Sequence, residues 1–151
     1  MKYRMAAALL SMVGLLVSVY LYLYKIGALG SMICGTGACE LVQTSRWSRF
    51  LGVEVSLIGV LGYVVILGVS LAGLQPANRA HRWPDTLLVA LSGGGLVFSA
   101  YLTYLELFVI EAICRWCVAS AVIILLIFAV SLSGRMRKPV ESALSHHPAG
   151  A

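Results

Sequence analysis

Residues 114–132 read CRWCVASAVIILLIFAVSL, and this stretch decides the fold. Two cysteines one helical turn apart open a run in which Ser120 and Ser131 are the only polar side chains between Cys117 and Leu132. A segment with no charge over this length is stable as a helix in lipid, where about 20 apolar residues cross a hydrocarbon core roughly 30 Å thick. Three more long apolar runs occur at 5–24, 55–74 and 87–108, alongside 117–132. The 151 residues are 60% hydrophobic and 11% charged, whereas a soluble domain carries roughly a quarter charged residues. The expected fold is therefore all-α, an integral membrane four-helix bundle over 1–133. Residues 134–151 are expected to form a disordered cytoplasmic tail.

The net charge of +5 does not point to nucleic acid, because the basic residues sit at the ends of apolar runs and form no single basic face. With the N-terminus in the cytoplasm, Lys2, Arg4, Arg79, Arg82, Arg135, Arg137 and Lys138 lie inside against Asp85 and Glu141. Lys25, Arg46, Arg49 and Arg115 lie outside, balanced by Glu40, Glu54, Glu106 and Glu111. This bias places both termini in the cytoplasm and all four cysteines on the extracytoplasmic side of a plasma (inner) membrane. A cleaved signal peptide is the other reading of the first run, with Ala28-x-Gly30 as its cleavage site. That run is longer than a signal-peptide core of roughly 7–15 residues, so an uncleaved span is expected.

The long break at 25–54 holds Leu41, Val42, Trp47, Phe50 and Leu51 among polar residues, which reads as a short interfacial helix or loop lying on the membrane surface. Trp47 and Trp116 would mark the outer interface and Trp83 the inner one. Gly59 and Gly62 on the second run and Gly93, Gly94 and Gly95 on the third have two readings: close helix packing, or room for a flat ligand ring.

Chemistry would reside in the cysteines. Cys114 and Cys117 share one helix face at a helix N-terminus, where unsatisfied N–H groups and the helix dipole stabilise a thiolate. Cys34 and Cys39 enclose Gly-Thr-Gly-Ala, a flexible ring that suits a pair that opens and closes better than a fixed staple. A redox pair, a structural disulfide and a metal site all remain readings of such cysteines, including one zinc held by all four. The last is disfavoured by the lack of an acidic or histidine second shell nearby in sequence, so no metal is expected.

The ordered set Cys34/Cys39, Thr44-Ser45-Arg46-Trp47, Gly52-Val53-Glu54, Ser56-Leu57-Ile58-Gly59, Tyr63, the stretch from Tyr101 to Glu111 and Cys114-Arg115-Trp116-Cys117 resembles the vitamin K epoxide reductase family over roughly 3–132. The resemblance implies a membrane thiol–disulfide oxidoreductase supporting disulfide formation in exported proteins. Cys114 and Cys117 match the pair beside a quinone, ubiquinone or menaquinone, with Cys117 against the ring. Cys34 and Cys39 match the shuttle pair, with Cys39 bridging transiently to Cys114. Ser45 matches a hydroxyl residue that bonds a quinone oxygen. Ala121 and Val55 stand where animal members carry a tyrosine and an asparagine, so quinone reduction is implied rather than epoxide reduction. The thioredoxin-like domain fused to many bacterial members has no counterpart in these residues. The implied partner is a separate extracytoplasmic thioredoxin-like (DsbA-like) protein. The competing expectation is a non-catalytic tetraspan protein with structural disulfides or a four-cysteine metal site.

Overall fold

The computed structural model describes residues 2–30, 38–78 and 81–145, with side chains placed as far as Met136. Five α-helices account for most of them: α1 Lys2–Lys25, α2 Ala38–Thr44, α3 Val55–Leu74, α4 Trp83–Leu105 and α5 Arg115–Ser145. Between α2 and α3 lie a 3₁₀ turn, Arg46–Ser48, and a two-stranded hairpin, β1 Arg49–Phe50 paired antiparallel with β2 Val53–Glu54. Leu51 and Gly52 make its tight turn, both with positive φ. The apolar break thus contains the expected short helix, α2, followed by a hairpin the sequence did not suggest.

Among the described residues, four helices are long and apolar enough to cross a membrane: Lys2–Lys25, Val55–Leu74, Trp83–Ile110 and Arg115–Met136. The protein is an all-α membrane bundle. Its main contacts run α1 to α3, α3 to α4, α4 to α5 and α5 back to α1, a closed ring. Large apolar side chains such as Leu9, Leu16, Val97 and Leu125 point outward, as lipid-facing positions do.

Two boundaries differ from expectation. The third span, α4, begins at Trp83, with Pro84 in its first turn, where a proline's missing N–H costs nothing. Asp85, expected in a polar break, is consequently inside the bundle and 3% exposed. The fourth span, α5, runs on to Ser145 through the segment expected to be disordered, while 146–151, with His146 and His147, lie outside the described residues. Gly134 does not end that helix. A Cβ there would come within 2.3 Å of the Tyr3 ring, so the glycine is a close-approach point between α5 and α1.

The N-terminal end of α1 is locked by a buried network. Arg4 donates Nε–H to Asp85 Oδ1 at 2.8 Å and pairs with it through a second nitrogen at 2.8 Å. Arg4 also donates to the carbonyls of Gly73, where α3 ends, and His81, and Tyr3 donates its hydroxyl to the same Asp85 oxygen at 3.1 Å. One arginine thereby ties α1, α3 and α4 together.

Candidate functional site

The opposite end of the bundle holds Cys39, Cys114 and Cys117. Lys25, the last residue of α1, reaches across to the Gln43 carbonyl, to Ser48 Oγ at 2.7 Å and to the Glu54 carboxylate at 3.4 Å. It fastens α2, the 3₁₀ turn and β2 over the end of α1. Glu54 is shared with Arg49 at 2.7 Å.

Beneath this cap, Val17, Leu21, Cys39, Val42, Ala112 and Cys114 form one buried cluster, with Cys117 and Trp116 packed against it. Trp116 packs beside Tyr20, ring centroids 4.9 Å apart. Cys39 is disulfide-bonded, whereas Cys114 and Cys117 are free thiols. Cys34 lies outside the described residues. Cys114 is 0% exposed because α2 folds over it. Cys117 is half-buried.

Cys114 immediately precedes α5, and its sulfur accepts the Cys117 backbone N–H at 3.4 Å, capping the helix start. A hydrogen bond from the Cys117 thiol holds Cys114 below the ordinary cysteine range against its burial, helped by the Cys117 and Trp116 backbone N–H groups. The thiolate character expected at this helix N-terminus therefore falls on Cys114.

The sequence did not single out Glu106. The α4 helix ends in a π-helical turn, Glu106–Ile110, after which Glu111 adopts the left-handed conformation. Such widened turns re-aim side chains. Here the Glu106 carboxylate, 5% exposed, accepts the Cys114 backbone N–H at 3.2 Å and hydrogen-bonds the Cys117 thiol. The signal was available, since an acidic residue inside an apolar span is a functional position by default.

Two cavities meet at Cys117 and Glu106. The larger, about 340 Å³, opens mainly between α3 and α4, within the size range of small-molecule sites. A Cβ on Gly62 or Gly94, which line it, would meet nothing within 4 Å. Gly93 and Gly95 instead face Phe128 and Ile124 at 3.3 and 3.1 Å, and Gly59 faces Ser18 at 2.9 Å. The glycines thus divide between the two readings, some for helix packing and some for open space. Tyr63 closes one wall, its hydroxyl hydrogen-bonded to Ser120 at 2.9 Å. Ser56 Oγ, on a residue lining this cavity, is buried without a hydrogen-bond partner. A flat apolar ring with carbonyl oxygens fits that combination of smooth glycine walls and an unused hydroxyl donor.

The smaller cavity, about 40 Å³, lies under the cap and is lined by Gln43, Ser45, Ser48, Glu106 and Cys117 among others. Ser45 belongs here and does not line the larger cavity; its hydroxyl donates to the Val42 carbonyl at 2.8 Å. The structure therefore brings Cys39, Cys114, Cys117 and Ser45 to one end of the bundle and adds Glu106 and Ser56.

A family model described as "Vitamin K epoxide reductase family" matches residues 5–132.

Proposed function

The chain belongs to the vitamin K epoxide reductase family, a membrane thiol–disulfide oxidoreductase family, and from that premise we propose that it oxidises a soluble thioredoxin-like protein and delivers the electrons to a membrane quinone. The observation that carries this reading is the free Cys114–Cys117 pair set between a disulfide-bonded Cys39 and an apolar cavity lined by Cys117. That arrangement matches the stage at which two electrons have passed inward.

The relay runs by thiol–disulfide exchange. A partner dithiol reduces the disulfide between Cys39 and Cys34 and leaves oxidised. The Cys39 thiolate attacks Cys114 of a Cys114–Cys117 disulfide, forming a cross-bridge and releasing the Cys117 thiolate. Cys34 then attacks Cys39, restoring the shuttle disulfide and freeing Cys114 with two electrons now on the inner pair. Ubiquinone or menaquinone, when bound, accepts two electrons and two protons as the Cys114–Cys117 disulfide re-forms. Gly62 and Gly94 would give the ring its slot. Ser56 would bond one carbonyl oxygen, and Ser45 would do so by turning its hydroxyl from Val42. The charge bias supports cytoplasmic termini and cysteines on the extracytoplasmic face of the plasma membrane.

The test is a titration of the purified, fully reduced protein with a soluble quinone. One quinol should form for each Cys114–Cys117 disulfide. Ser56→Ala and Ser45→Ala should each raise the quinone concentration needed by about fivefold, the loss of one net hydrogen bond near 1 kcal/mol. Absence of quinol formation at any quinone concentration refutes the assignment.

A further inference from the structure

Glu106 has no task in the relay above, yet its carboxylate contacts both residues of the inner pair, the Cys114 backbone N–H and the Cys117 thiol. We propose that Glu106 carries protons from the Cys114–Cys117 pair to the quinone oxygens, an inference that rests on quinone being the electron acceptor.

Three observations converge on this role. The carboxylate is buried and held in place by the Cys114 backbone N–H, so it is oriented before any ligand arrives. It hydrogen-bonds the Cys117 thiol, one proton transfer away from the reacting sulfur. It also lines both cavities, facing the quinone slot on one side and the small polar cavity on the other. The small cavity exceeds the roughly 10–15 Å³ that one water needs, and Gln43, Ser45 and Ser48 supply polar partners for it. Glu106 thus stands between a dry slot and a site able to hold water beneath the cap.

The balance closes without another reagent. As the S–S bond forms, Cys114–SH and Cys117–SH give up two electrons and two protons, and the quinone becomes quinol by gaining both pairs. The Glu106 carboxylate takes the Cys117 proton, releases it to one quinone oxygen and returns to its starting state. The Cys114 proton reaches Glu106 through the Cys117 sulfur, which hydrogen-bonds Cys114, and passes to the other oxygen. Titratable groups that share these cavities are Cys117 from α5 and Tyr63 from α3, with Cys114 adjoining; α1 and α2 present Ser18 and Gln43, which do not titrate.

Glu106→Gln tests the inference, since the amide keeps the shape and an acceptor for the Cys114 N–H but cannot take a proton. In the full-length reduced protein, quinol formation should fall roughly a hundredfold near neutral pH. The gap should narrow as pH rises and solvent hydroxide takes over thiol deprotonation. Glu106→Asp, which keeps the acid, should recover most of the lost rate. Independently of quinone, chemical oxidation of the inner pair should produce a carboxyl band in the infrared difference spectrum that Glu106→Gln abolishes. Equal rates and equal pH profiles for wild type and Glu106→Gln overturn the proton route while leaving quinone reduction standing. A folded Glu106→Asp as slow as Glu106→Gln, or an infrared difference spectrum unchanged by Glu106→Gln, overturns it equally. A wild-type protein that reduces no quinone removes both proposals.

Discussion

Each end of α1 carries a basic residue that ties three segments together, but the two ends are built to different strengths. Arg4 and its carboxylate Asp85 are both 3% exposed, whereas Lys25 and Glu54 are 17% and 19% exposed. A fully buried ion pair is costly to break, because the surviving charge is left without partner or water. A pair within reach of solvent is worth at most about 1 kcal/mol. The same helix is thus bolted at one end and lightly latched at the other. In the proposed relay, the latched end is the one that admits a partner protein and lets Cys39 approach Cys114. Strength is placed where nothing has to move.

The largest effect should come from the latched end. Cys117→Ala removes a reacting atom and should lower quinone-coupled turnover by about three orders of magnitude or more. The melting temperature should stay near wild type, and a Cys39–Cys114 bridge should accumulate for mass mapping. A bridge from Cys34 to Cys114 instead would reverse the order of the shuttle pair.

Stability separates the ends next. Asp85→Ala should cost about 3–5 kcal/mol in a reversible unfolding assay in detergent, by stranding Arg4. Glu54→Ala should cost about 1 kcal/mol or less. Comparable losses would erase the contrast between bolt and latch.

Glycine substitutions sharpen it at smaller scale. Gly134→Ala drives a methyl into the Tyr3 ring, an overpacking cost of about 1–3 kcal/mol. Gly94→Ala meets open space, so it should leave stability unchanged or slightly raised while weakening quinone binding. A loss of stability at Gly94 matching that at Gly134 would mean the slot is packing and not a ligand site.

The smallest effect is electrostatic. Because the Cys117 thiol is the leading cause of the lowered Cys114 pKa, Cys117→Ala should move the Cys114 thiolate titration upward, toward an ordinary cysteine. Thiolate absorbance of the reduced protein against pH gives the readout, and an unmoved titration would assign the shift to the helix end alone.

What the sequence disclosed follows from what lipid and sulfur demand. Lipid requires long uncharged helices, so four spans were readable from hydropathy alone, and α3 matches its expected bounds, Val55–Leu74. The cysteine pairs were readable because their spacing is local. Less was visible where three-dimensional contact decides. Asp85 looked like a loop charge until Arg4, 81 residues away, drew it inside. Gly134 looked like a helix end until Tyr3 packed on it. Glu106 gave a signal by its charge, but its aim at the Cys117 thiol depends on a π-helical turn that no periodicity announces. Ser56 was visible only as one residue of a family motif, since burial without a partner is a property of the folded chain.

The Arg4–Asp85 bolt also sets a timetable for synthesis. The arginine enters with the first helix, and its carboxylate emerges only with α4, after α3 has been made. During that interval Arg4 is a charge at the margin of the bilayer with no counter-ion of its own, a standing cost of up to about 3 kcal/mol if it is drawn to membrane depth. The first helix should therefore ride loosely, its basic end held toward the headgroups, until α4 arrives and draws it in. Nascent chains ending after Leu74 should leave a cysteine placed by Tyr3→Cys open to a water-soluble thiol reagent, and chains ending after Leu105 should protect it. Equal labelling of the two lengths would show that the bolt closes without its partner helix. A residue pair that holds the finished protein together would, on this timetable, also tell the cell that the third membrane crossing has been made.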